Sequence, residues 1–129
     1  MRPTVVLLVS SDRGAALHQR IRASGSYIPA DFMDRLERDG CRFGIDASGS
    51  VIDEFEDDEL SVIRAALGAD AVAVTVEYPD DACLRSLLLE VLDGFDGLLD
   101  TNHGALLPFS EVFPHLAPGD SWSPTRPTP

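Results

Sequence analysis

The stretch TVVLLVSS (residues 4–11) constrains the fold more than any other. It is a strand-length run of β-branched and aliphatic residues without polar alternation. A strand that buries one face alternates apolar and polar residues, whereas a strand covered on both sides does not. Residues 4–11 are therefore expected to form a central strand. The stretch AVAVTVEY (residues 71–78) does alternate. Val72, Val74, Val76 and Tyr78 form its expected core face, while Ala71, Ala73 and Thr75 are small enough to sit under a helix.

Helices are expected around these strands. In DDELSVIRAALG, acids fill the first turn, where the helix dipole favours them; Leu60, Ile63 and Leu67 share a face, and Gly68 ends the run. In PDDACLRSLLLEVLDG, an Asp cap follows Pro79, Leu84, Leu87, Leu88 and Val91 share a face, and Gly94 is the stop. IPADFMDRLERDG is read as a third helix, starting at Pro29, with Phe32, Met33 and Leu36 inward and Gly40 as its stop. Residues 12–24 are compatible with either helix or strand. CRFGID alternates, ASGS is turn chemistry, and VIDEF is expected to return as the second strand of a hairpin over residues 41–55. The connection from 71–78 through its helix to 98–100 is long enough for a parallel crossover. The expected fold class is α+β: a mixed β-sheet with helices packed on one face, ferredoxin-like in part. Residues 1–116 form the expected single domain, and 117–129, with four prolines and no periodicity, a C-terminal tail. Trp122 is expected to pack back from that tail onto the domain.

The chain's 129 residues suit one core, and 44% hydrophobic residues exclude a disordered chain. The longest apolar run near the start is Val5–Val9, shorter than the roughly 7–15 residues of a signal core or the about 20 of a membrane span. A cytoplasmic protein is expected, and in that compartment Cys41 and Cys83 read better as packed thiols than as a bridge. All ten basic residues are arginine, so no lysine is present for a Schiff base, a P-loop or a kinase-type site. Residues 1–42 hold seven Arg against five acids, and residues 43–129 hold three Arg against seventeen acids. Such a surface repels nucleic acid and anionic membranes and attracts a basic protein partner.

Two stretches are candidate sites. The run DEFEDDE contributes Asp53, Glu54, Glu56, Asp57, Asp58 and Glu59. It is not an EF-hand: counted from Asp46, the required Gly position falls on Val51 and the bidentate Glu position on Asp57. Capping and solvation explain part of the cluster, and docking of a basic partner is the functional alternative. In DTNHG (residues 100–104), Asp100, Asn102 and His103 are a candidate ligand loop. Two potential ligands are too few for zinc, and Gly104 with Asp and Asn makes a turn the leading expectation, with His103 tolerant of a left-handed backbone. No metal and no cofactor are expected. His18, Arg20 and Arg22 would share a face only on a strand. Cys83 falls in a helical first turn beside Asp80 and Asp81, whose charges oppose a reactive thiolate. His115 is assigned no role. GxSxG, GxGxxG, HExxH and P-loop patterns do not occur.

The stretch LLLEVLDGFDGLLDTNHGALLPFSEVF, with its Leu-rich helix, DGFDG link, DTNHG turn and apolar end, resembles the closing part of small acidic bacterial immunity-type proteins that neutralise a toxin. The resemblance covers under a quarter of the chain and carries over no functional residue. It implies a non-catalytic partner-binding role, in line with the charge. Two alternatives stand beside it: a small enzyme or ligand-binding domain centred on Asp100–His103, and an oligomeric structural protein.

Overall fold

Val5 to Val9 are fully shielded from solvent, and they form β1 (Thr4–Val9), the strand on which the rest of the fold is laid. In the computed structural model, which describes residues 2–126, β1 is part of a seven-stranded sheet. The other strands are β2 (Ser26–Ile28), β3 (Asp34–Arg38), β4 (Cys41–Asp46), β5 (Val72–Glu77), β6 (Leu98–Asp100) and β7 (Leu106–Pro108). Their spatial order is β2-β3-β4-β5-β1-β6-β7. The helices are α1 (Gly14–Ala23), α2 (Asp57–Leu67), α3 (Asp81–Val91) and the single turn α4 (Phe109–Val112). The fold is α+β.

The side chains of β1 divide between two apolar clusters. Val5, Leu7 and Val9 pack with Val74, Val76 and Tyr78 of the β5 segment under Leu17 and Ile21 of α1 and Leu84, Leu87, Leu88 and Val91 of α3. Val6 and Leu8 point the other way and meet Ala73, Leu98 and Ile63 of α2. Helices therefore cover both faces, where the sequence suggested one. α1 and α3 share one face, and α2 lies on the other. The second layer follows from the apolar residues on both pleats of β1 and from the small Ala73, which admits α2.

β5 and β6 run parallel to each other, as the α3 connection suggested, but β1 lies between them and pairs antiparallel with both. The crossover spans a strand, and every hydrogen-bonded pair in the sheet is antiparallel.

Residues 12–24 resolve as a 3-10 turn (Ser11–Arg13) followed by α1, with Leu17 and Ile21 one helical turn apart and buried. The helix expected over 29–40 does not form. Residues 34–38 are β3, and Leu36 is buried directly between Tyr27 of β2 and Phe43 of β4. Asp39 and Gly40 have φ of 50° and 79°, the left-handed pair of a two-residue hairpin, so the residues read as a helix stop are the turn into β4. Phe32, expected inward, is 94% exposed. VIDEF is not a strand either: Ser50–Glu54 is a 3-10 turn, and β4 pairs with β5 instead.

Cys41 and Cys83 are joined by a disulfide, not left as thiols. Cys41 opens β4 and Cys83 lies in the first turn of α3, packed over the same face; their Cα atoms are 5.9 Å apart, within bridging range. Of the expected tail, 117–126 folds back. Trp122 is buried in the larger cluster and its carbonyl accepts a 2.7 Å hydrogen bond from Arg85 Nη1. Residues 127–129 lie outside the described residues.

Candidate functional site

α2 covers only part of its face of the sheet. Ile63 and Leu67 lie over Leu8, Ala73 and Leu98, but the acidic first turn of the helix stops short of the next rows. In the first uncovered row, Asp46 pairs with Thr75, Thr75 with Val6 and Val6 with Asp100. Residues directly opposite one another on antiparallel strands point to the same face. Since Val6 faces α2, so do Asp46, Thr75 and Asp100. Gly44, Glu77 and Thr4 form the row beyond. A side chain at Gly44 would press on Met33, whose Sδ stands 3.1 Å from where its Cβ would be.

Thr4, Asp46, Thr75 and Asp100 of these rows floor an open cavity of about 610 Å³. One wall is Ser50, Val51, Glu54, Phe55 and Glu59, from the 3-10 turn and the start of α2. The facing wall is Asn102 and Gly104, from the turn between β6 and β7. The structure thus joins two stretches that the sequence kept separate. Asp46, Glu54, Glu59 and Asp100 line the cavity and no Arg, His or Lys does.

Of the acidic run, Asp53, Glu56, Asp57 and Asp58 are exposed outside this lining, while Glu59 is half-buried within it. Glu59 Oε1 also accepts from the Glu56 amide at 3.2 Å, so capping accounts for part of the cluster, as expected. Of the loop residues, Asp100 and Asn102 line the cavity and His103 does not; His103 is exposed. The left-handed residues of this loop are Asn102 (φ 59°) and Gly104 (φ 89°), not His103. Asn102 Nδ2 donates to Thr4 Oγ1 at 2.6 Å, which pins the turn to β1.

Sequence reasoning passed over Thr101. It is fully buried, and its Oγ1 accepts from the amides of His103 and Ala105, which stiffens the loop beside the site. It also passed over the cavity floor, Thr4, Asp46 and Thr75. Period-2 alternation places Thr75 on the α2 face, but only strand register aligns it with Asp46 and Asp100.

Asp100 is the most constrained acid of the site, at 7% exposed. Burial pushes its carboxyl above the usual carboxylate range; the Asn102 amide, donating to Oδ1 at 3.3 Å, opposes this, Glu59 adds to it, and His103 opposes it. Among the described residues Oδ2 makes no hydrogen bond. Yet no side-chain N or O that is shut off from solvent lacks a partner. Oδ2 therefore keeps its access through the cavity that Asp100 lines.

The other polar clusters serve the scaffold. His18 Nε2 lies 3.2 Å from the Tyr27 hydroxyl, which donates to Asp34 Oδ2. Burial and the Asp34 carboxylate push the Tyr27 hydroxyl up, and the bond from Tyr27 holds Asp34 down. Arg20 donates to the Asp93 carbonyl at 2.9 Å and, with Arg13, sits against the Phe95 ring; Arg22 covers Tyr27. On the helix His18 and Arg22, four residues apart, both meet Tyr27, while Arg20 turns to Asp93 and Phe95, so the three make no shared anion-binding face.

No three His, Cys, Asp or Glu side chains among the described residues stand close enough together to hold a metal ion. The chain matches no protein-family model, and no curated protein or solved structure is significantly similar to it.

Proposed function

We propose that this is a non-catalytic binding protein whose acidic face docks a basic protein partner. The observation that carries this reading is the cavity lined by Asp46, Glu54, Glu59 and Asp100 without a compensating cation, with Asp53, Glu56, Asp57 and Asp58 exposed beside it. Carboxylates so arranged steer a positively charged surface into contact and specify its register. If the partner is a toxin, as the resemblance of the C-terminal quarter to immunity-type proteins suggests, neutralisation is by occlusion: these acids pair with Arg and Lys around the toxin's active site.

No helix among the described residues is long and apolar enough to cross a membrane. The Cys41–Cys83 disulfide favours an oxidising compartment over the cytoplasmic location expected from the sequence.

The test is capture of partners by the wild-type chain and by a variant carrying E54Q, E56Q, D57N and D58N, at low and moderate salt. The expected result is a basic protein held by the wild type, released by salt and lost with the variant. Equal capture by both chains at low salt would refute the reading. A second reading, a site for a small cationic ligand, is favoured by one observation: about 610 Å³ is within the size range of small-molecule pockets.

A further inference from the structure

We infer that the cavity receives the guanidinium group of an arginine side chain carried by the docked partner, anchored on Asp100 Oδ2. The inference rests on the docking reading and names what enters the site. Three observations carry it. First, Asp100 is 7% exposed and lines the cavity, yet Oδ2 has no hydrogen-bond partner among the described residues. A carboxylate whose access to water is narrowed to one cavity is partly desolvated, and a cation or donor entering that cavity offsets the cost.

Second, the other carboxylates are spread around the lining. Asp46 and Asp100 are the ends of a row four strands wide, so their backbones are roughly 14 Å apart at about 4.8 Å per strand. Calcium and magnesium need oxygens converging within about 2.6 Å of one point. A guanidinium needs no such convergence: one carboxylate anchors it, and the rest of its five donors take whichever acceptors lie beside that anchor. Third, Val51, Phe55 and Met33 give the same cavity apolar walls. A guanidinium is weakly hydrated and stacks on an aromatic ring, whereas an ammonium is compact and holds its water.

The test is an amide NMR titration of the whole chain with three probes: Nα-acetylarginine methylamide, the lysine analogue, and the citrulline analogue, which keeps the shape without the charge. The expected result is saturable shifts at Asp100, Thr101, Asn102 and Glu59 with the arginine probe alone, at millimolar concentrations. D100N should weaken it about tenfold or more, the usual effect of losing a charged hydrogen-bond partner. A variant carrying E56Q, D57N and D58N, all outside the lining, should bind the probe within about twofold of wild type, since exposed charges contribute little.

Equal binding of the citrulline or lysine probe, no saturable shift up to about 50 mM, or an unchanged D100N would each overturn the inference. D100N conserves shape and relieves a buried charge, so lost binding is not lost folding; its urea midpoint checks this. The two readings fail separately. If a basic protein binds by the acidic face but the arginine probe does not bind, only the present inference falls. If the probe saturates the cavity and no basic protein binds, the partner as source of the guanidinium falls with the docking reading.

Discussion

The two faces of the sheet are built on the same strands and have opposite characters. On the α1/α3 face, β1 and the β5 segment present Val5, Leu7, Val9, Val74, Val76 and Tyr78, all buried under two helices. On the α2 face the same strands present Thr4, Val6, Leu8, Ala73, Thr75 and Glu77, and only the apolar end of this set is covered by a helix. The first face is a core. The second is half core and half site. A strand can thus contribute to stability through one pleat and to recognition through the other, and a change on one side need not disturb the other.

The largest effect should come from the closed face. Leu87→Ala is expected to cost about 2–5 kcal/mol, the range for truncating a fully buried leucine. Phe55→Ala, at the half-buried rim of the open face, should cost less than half as much. Urea unfolding of both variants measures the contrast, and equal losses would break it.

The disulfide ties the closed face to the strand beside the site, across 42 residues. C41S/C83S together should lower stability by about 2–4 kcal/mol. Adding a reductant to the wild type should shift its thermal unfolding comparably and leave the double variant unmoved.

The open face should show the reverse sign. In the folded chain Asp100 prefers the protonated state more than it does in the unfolded chain. Its ionisation therefore costs stability as pH rises through its unfolded and then its raised folded pKa, and costs nothing below both. Asp100→Asn should raise the urea midpoint at neutral pH, with the gain fading on acidification into the ordinary carboxylate range. Midpoints that fall at neutral pH would show that Asp100 is stabilising and break the contrast between the faces.

The smallest stability effect should come from the exposed acids. Glu56→Gln and Asp58→Asn should move stability by no more than about 0.5 kcal/mol. Stopped-flow association with a basic partner should nevertheless slow several-fold at low salt and converge with wild type at high salt.

What could be read from the sequence was whatever rests on local chemistry. The two-faced run of β1, the alternation of β5 and the helices α2 and α3 are where the pattern puts them, and Asp80 caps α3 through a 2.8 Å bond from the Cys83 amide. DTNHG is a turn between two short strands. The β3 segment carries a helical pattern, because Phe32, Met33 and Leu36 fit a helical spacing and Asp39-Gly40 serves equally as a helix stop or as a hairpin. Pairing of Leu36 with Tyr27 and Phe43, residues distant in the chain, decided the matter. The site was half legible. Glu54, Glu59, Asp100 and Asn102 were candidates in two separate groups, but their meeting in one cavity depends on the register of β4, β5, β1 and β6. Register is a property of the assembled sheet and leaves no mark on any one segment.

The Cys41–Cys83 bond has one more consequence. Everything between these two residues is enclosed in a covalent ring, including the 3-10 turn, α2 and therefore the whole acidic wall of the cavity. A protease that cuts once at the exposed residues 53–54 or 56–58 opens the ring without releasing a fragment. The nicked chain should migrate as one species until reductant is added and then separate into two. In surroundings rich in proteases, a single scission in the wall would leave both halves of the binding surface tethered to the same sheet.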